Sequence, residues 1–396
     1  MPDFHRSLSS RVALAFAILA SLFIFSGKLF AVPGALSMSR SVAEAGLPAL
    51  YAAGDTYPAY TVDSAAKSSI TAGTYSEIVM GDGFDKFTIP SGQVTLVGGA
   101  GGELVSTPLS VAYRSTLTQI GSSPIMIGST GAAASLTLLN GSLTGDIAIG
   151  AGNRSRRDAA LIIGDGSTPA TVNITGSILG YLNNGSTYQS ALRVDGADLN
   201  ITGNLGIRSG VGNIGLVDAG GNITISANSS LRNVLGNFCA NRVNIRAGKK
   251  IEAAGLAFIR SAFLSDGSSL VTNGAYEGQA GRIDISYLID GGVNGLLSEG
   301  SKIKSSNGSV WLWQGMTEGD GEISAGASIG SHTGEGYPSG EAMVPSLLQG
   351  SGKLTLTAGK DISTGDMTVD SFSAGNDVIS GTEFSSSLLS ADRVYK

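Results

Sequence analysis

The sequence predicts an all-β fold: a right-handed parallel β-helix (a β-solenoid) with a short N-terminal cap, behind a cleavable signal peptide. Three observations carry this. Short strand-like texts with apolar residues at i and i+2 recur beyond residue 75. Between them stand Gly, Asn, Asp and Ser, and no segment there keeps a helical period. Gly supplies 58 of the 396 residues, roughly twice the ordinary share of about 7%.

Composition narrows the class further. With 42% hydrophobic residues and a mean hydropathy of +0.19, the chain can bury enough apolar surface to order itself. Gly follows no period of three, which excludes a collagen-like rod. A net charge of −6 provides no electrostatic footprint for nucleic acid. Cys239 is the one cysteine, so no intrachain disulfide staples the fold, and it reads as a small packing residue. Stability must then come from regular hydrogen bonding and stacking.

The elements follow in chain order. Arg6 and Arg11 flank the start of the apolar run 12–25, which is shorter than the roughly 20 residues of a membrane span and has the build of a secretory signal. Cleavage after Ala31 leaves a mature chain without a transmembrane span. Residues 1–31 are thus a signal peptide, 32–75 a cap or linker, and 76–396 the repeat region. Within the linker, residues 40–56 are Ala-rich and interrupted by Pro48. They read as a short helix or loop covering the open edge of the first coil.

The repeat itself is carried by Leu136/Leu138, Val172/Ile174, Leu199/Ile201, Ile223/Ile225, Val243/Ile245, Ile283/Ile285, Val310/Leu312 and Leu354/Leu356. Val172 to Leu199 is 27 residues, Leu199 to Ile223 is 24, and Ile223 to Val243 is 20. The longer steps, Val243 to Ile283 and Val310 to Leu354, read as two coils each. Sandwiches and barrels give strands every 8–12 residues without a longer period. A solenoid gives both. At about 22 residues per coil, residues 76–396 make about fourteen coils, stacked at about 4.8 Å. Pairs such as Asp195-Gly196 and Asp266-Gly267 supply the corners.

Several of these texts resemble the passenger regions of Gram-negative surface proteins. The run Gly352-Lys-Leu-Thr-Leu-Thr-Ala-Gly-Lys-Asp-Ile362 is similar to the repeat of filamentous haemagglutinin-like exoproteins, with weaker copies at 221–227 and 242–251. Residues 161–174 resemble autotransporter passenger text. The resemblance covers most of residues 130–370. It implies a secreted or surface-displayed adhesive rod with no cofactor. Its partners would be a host or matrix glycan or protein surface, and an outer-membrane barrel for secretion. The text after residue 31 lacks the Asn-Pro-rich secretion motif of two-partner exoproteins. The C-terminal text lacks the series of ten-residue amphipathic strands of a barrel.

Catalytic chemistry is sparse. Some β-helices are polysaccharide lyases or hydrolases, and that is the alternative function. Arg282, Asp284 and Asp290 fall close together, with Arg282 and Asp284 on one outward face, where they read as a solvated ion pair. His332 with Glu335 nearby is the one His after residue 31, and reads as an idle loop residue. Arg154, Arg156 and Arg157 before Asp158 read as a solvated corner. No catalytic residue and no metal ligand is assigned. The binding residues are Trp311, Trp313 and Tyr337. With Val310 and Leu312 inward, Trp311 and Trp313 point out and form a platform about 7 Å long. The segment 331–350, with Tyr337, Met343, Val344 and Leu347, either folds over that platform or leaves it bare.

Overall fold

The structure is a computed structural model that describes residues 57–395. Excepted are residues 82–83, 85–86, 99–102, 107–124, 129–132, 151–158, 181–189, 208–211, 229–233, 275–280, 286–292, 313–315, 331–346, 350–353, 364–366 and 380–383. The expected signal peptide and the covering segment 40–56 lie outside the described residues. Among those described, the chain has 35 strands and one short 3₁₀ turn, Ala65–Lys67. No helix there is long and apolar enough to cross a membrane. Every strand pairing is parallel and joins equivalent strands of successive coils, as a parallel β-helix requires.

Each coil has three faces. Face I holds the strands Ala170–Thr175, Ala197–Thr202, Ile223–Ser226 and Lys250–Ala253, and their equivalents on either side. Face II holds Ala159–Ile163, Ser190–Asp195, Ile214–Gly220 and the second halves of Phe238–Ile245 and Ala257–Leu264. Face III holds Ile147–Ile149, Ile178–Gly180, the first halves of those two long strands, Ile283–Ile285 and Val310–Leu312. Thirteen successive pairings give face I fourteen rungs among the described residues. The first of them, Tyr60–Val62, lies ahead of residue 76, within the stretch expected to be cap or linker.

The alternation i, i+2 puts one row of each strand inside. On face I, Val172, Leu199, Ile223, Ile251, Leu270, Ile303, Ile323, Leu356 and Phe372 stack in one column. None of them is more than 2% exposed. This column corrects the expected ladder. Val243 and Ile245 stack on Val217 and Ala219 of face II, whereas Ile223 and Ile225 belong to face I. Ile283 and Ile285 belong to face III, and Leu356 stacks on Ile323 of face I. All three faces carry the same apolar–polar–apolar text, so steps between faces look like steps between coils. The true coil length varies, from 16 residues between Leu356 and Phe372 to 42 between Leu96 and Leu138.

The corners are held by side chains that bond to the next coil. Asp146 Oδ1 accepts from the Ser177 backbone N–H at 2.7 Å, and Ser177 Oγ from that of Asn204 at 2.8 Å. Asn204 Oδ1 then accepts from Asn237 N–H at 3.0 Å, and Asn237 Oδ1 from Leu256 N–H at 2.9 Å. Each bond satisfies a backbone group that a corner would otherwise leave without a ladder partner.

Another corner has a titratable lock. Asp165 Oδ1 accepts from the backbone N–H groups of Ser167 (2.8 Å) and Thr168 (2.7 Å) and from Ser167 Oγ (3.1 Å). Its Oδ2 accepts from Thr168 Oγ1 at 3.0 Å. Burial pushes this carboxyl up, but those hydrogen bonds outweigh it and hold the group below its ordinary range. A folded-state pKa below the unfolded one means stability that is present above the unfolded pKa and lost as pH falls through the folded one. Asp165→Asn should therefore lower the melting temperature at pH 7, with the difference from wild type closing as the pH is taken below 4. A gap that stays constant down to pH 2 would show that the charge is not what the turn uses.

Candidate functional site

The sequence points to the outer side of face III. There Ile283–Ile285 pairs with Ala257–Leu264 on one side and with Val310–Leu312 on the other. Ile283, Ile285, Val310 and Leu312 are all fully buried inward. The intervening Phe258, Asp284 and Trp311 align in one outward row, one residue per coil.

Arg282 organises this row. Its Nε and Nη2 meet the two Asp284 carboxylate oxygens at 2.5 and 2.8 Å, a two-point charge-assisted pair. The guanidinium carbon lies 5.7 Å from the centre of the Trp311 ring, within cation–π range. Asp284 is only 1% exposed, while the Arg282 side chain keeps 26%. The pair is thus not the solvated one expected. Phe258 and Trp311 align on either side of this buried carboxylate, and Arg282 neutralises it. Trp311 is half-buried. Its ring does not lie bare, because a guanidinium already rests near it.

Trp313 and Tyr337, the other two expected binding residues, lie outside the described residues. So do Asp290, His332, Glu335, Met343, Val344 and the group Arg154, Arg156, Arg157 and Asp158. Thr355 and Thr357, expected in the Trp311 row, sit on face I, because Leu356 between them stacks on Ile323 there. Cys239 is a buried thiol, 1% exposed.

Two further charge clusters stand on face II. Arg246 bonds Asp218 through Nε (3.1 Å) and Nη2 (2.9 Å), and its Nη2 reaches Asp195 at 3.2 Å. Asp195 also pairs with Arg193. The Asp218 hydrogen bonds, with the two carboxylate charges, raise the Arg246 pKa against its partial burial. Arg242, 5% exposed, lies 4.7 Å from the centre of the Phe263 ring one coil on. In the first cluster carboxylates and guanidinium groups face each other; in the second the guanidinium faces the aromatic ring. Among the described residues no three His, Cys, Asp or Glu side chains come together as a metal site.

Arg282 bracing Trp311 was missed in the sequence, since the two are far apart in the text. The signal was there: aligning Arg282-Ile-Asp-Ile285 with Ser309-Val-Trp-Leu312 sets Asp284 beside Trp311, and a residue two before Asp284 shares its face. No family model matches this chain, and neither a curated protein nor a solved structure matches it.

Proposed function

We propose that this chain is a non-catalytic adhesive rod, exported to the bacterial surface or beyond it, that binds glycan or protein surfaces through outward side chains. The observation that carries the reading is the Arg282–Asp284–Trp311 cluster. An aromatic ring on the outside of a stacked scaffold offers an apolar face, and Arg282 holds it in one orientation. The same geometry argues against lysis or hydrolysis at this point. Asp284 has both oxygens committed to a guanidinium and is shut away from solvent, so it is poorly placed to take or give a substrate proton.

The test is retention of the purified full chain on immobilised glycans, read together with release of new reducing or unsaturated ends. Trp311→Ala should weaken retention about fivefold, the equivalent of about 1 kcal/mol of aromatic contact. Arg282→Gln should weaken it less. Melting temperatures of both variants separate lost binding from lost folding. New chain ends that disappear in Asp284→Ala would replace the rod by the polysaccharide-cleaving alternative. Retention untouched by either change would remove the site.

A further inference from the structure

We propose that a bare strip of face I, between residues 141 and 226, binds an uncharged extended polysaccharide laid along the solenoid axis, about one sugar unit per coil. This goes beyond the reading above and uses none of the Trp311 cluster.

The strip comprises the four consecutive rungs Gly141–Thr144, Ala170–Thr175, Ala197–Thr202 and Ile223–Ser226. Their outward residues align in two rows. One is Ser142, Asn173, Asn200 and Thr224; the other is Thr144, Thr175, Thr202 and Ser226. Rungs recur at about 4.8 Å and the two rows stand about 7 Å apart. The result is a flat grid of hydroxyl and carboxamide groups about 14 Å long. Asn200 Nδ2 donates to Asn173 Oδ1 at 2.9 Å, which fixes both carboxamides before any ligand arrives.

Three observations distinguish this strip from an ordinary wetted surface. First, it is open along all four rungs. In its first two coils the outward residues of face II (Ser135, Thr137, Ala160, Ile162) and of face III (Ala148, Leu179) are no more than 4% exposed, and in the next two face II presents the partly exposed charges Arg193 and Asp218. On face I, Ser142, Asn173, Thr175, Asn200 and Ser226 are exposed. Second, it is nearly free of charge, where soluble surfaces usually carry about 25–35% charged residues. Asp198 is the one ionisable residue in the four rungs, and it is occupied at the edge by the backbone and side chain of Asn222 (3.1 and 3.0 Å). Charges return in the next coil, with the Lys250–Glu252 pair. Third, it contains no aromatic or Arg anchor of the sort on which protein interfaces depend. It also has no cation for a sulfated or acidic glycan or a nucleic acid. A neutral polyol, with repeating donors and acceptors and C–H faces to set against Thr methyl groups, is the chemistry that remains.

The coil spacing is close to the length of one sugar unit in an extended chain, which gives the proposal a length signature. The purified full chain would be titrated with cello-, manno- and chito-oligosaccharides of two to six units, with polygalacturonate and heparin as charged probes. Affinity for at least one neutral series should rise with each unit to about four, the number of rungs, and then flatten; the charged probes should not compete. Asn200→Lys, in the middle of the grid, should weaken binding at least tenfold with the melting temperature unchanged, and Thr357→Lys, exposed on the same face outside the grid, should leave it intact. Thr171→Lys, at the exposed edge, supplies the same block if Asn200→Lys unfolds the coil. Absence of binding to all three neutral series, a flat length dependence, or loss on Trp311→Ala with none on Asn200→Lys would each overturn the proposal. The last result would still leave the Trp311 site standing.

Discussion

Ile245→Asp should cost on the order of 4 kcal/mol or more, because it buries a carboxylate with no partner. Ile245 is 1% exposed and lies in the face II column between Ala219 and Leu264. The column is lined with aliphatic side chains, so the carboxylate must either protonate or force the coil open. Thr357→Asp is the matched control. Thr357 is exposed on face I between Ser324 and Ser373, so the same side chain there stays in water. It should change stability by no more than about 0.5 kcal/mol. Because each coil touches only its neighbours, the damage should also be local, with new protease cleavage near residue 245. Denaturant melts of the two variants decide the matter. Equal destabilisation would mean that the inward and outward rows have been confused.

The fold was legible because two local rules, alternation within a strand and turn-formers between strands, exclude helices without any tertiary knowledge. Register was not legible. Ile223-Thr-Ile225 and Val243-Asn-Ile245 are the same text, yet they belong to different faces, and nothing local says which partner each will choose. The shortest coil was hidden by the expectation of longer ones. Ala358-Gly-Lys-Asp-Ile362 and Ala374-Gly-Asn-Asp-Val378 repeat after 16 residues and stack directly. At the site, the alternation around Trp311 gave its outward direction, but the burial of Asp284 was not legible, because its neighbours in the stack come from the coils before and after it. The open strip on face I was missed for a different reason. Its residues look like ordinary solvated positions until the neighbouring faces are known to be covered or charged.

Gly203→Ala should destabilise the chain by about 3 kcal/mol or more, although alanine suits an extended strand end better than glycine does. The reason lies in the stack of corners. A Cβ at Gly203 would lie 2.1 Å from the carbonyl oxygen of Gly176, and one at Gly176 would lie 2.2 Å from that of Gly145. These are backbone atoms held by the ladder, not side chains that can swing away: the Gly145 and Gly203 N–H groups bond Thr175 and Ser226 in the next coil at 3.0 Å. Relief requires moving a whole rung, which would also pull Asn204 away from Ser177 and Asn237. Gly248→Ala separates this steric cause from the conformational one. Gly248 has φ +67°, but nothing lies within 4 Å of its would-be Cβ. There the cost should be only that of placing an L-residue in the left-handed region, about 1–2 kcal/mol. Denaturant melts of the two variants should therefore differ, with Gly203→Ala the less stable. If Gly248→Ala proves equal or worse, close approach between coils is not what excludes a side chain from this corner.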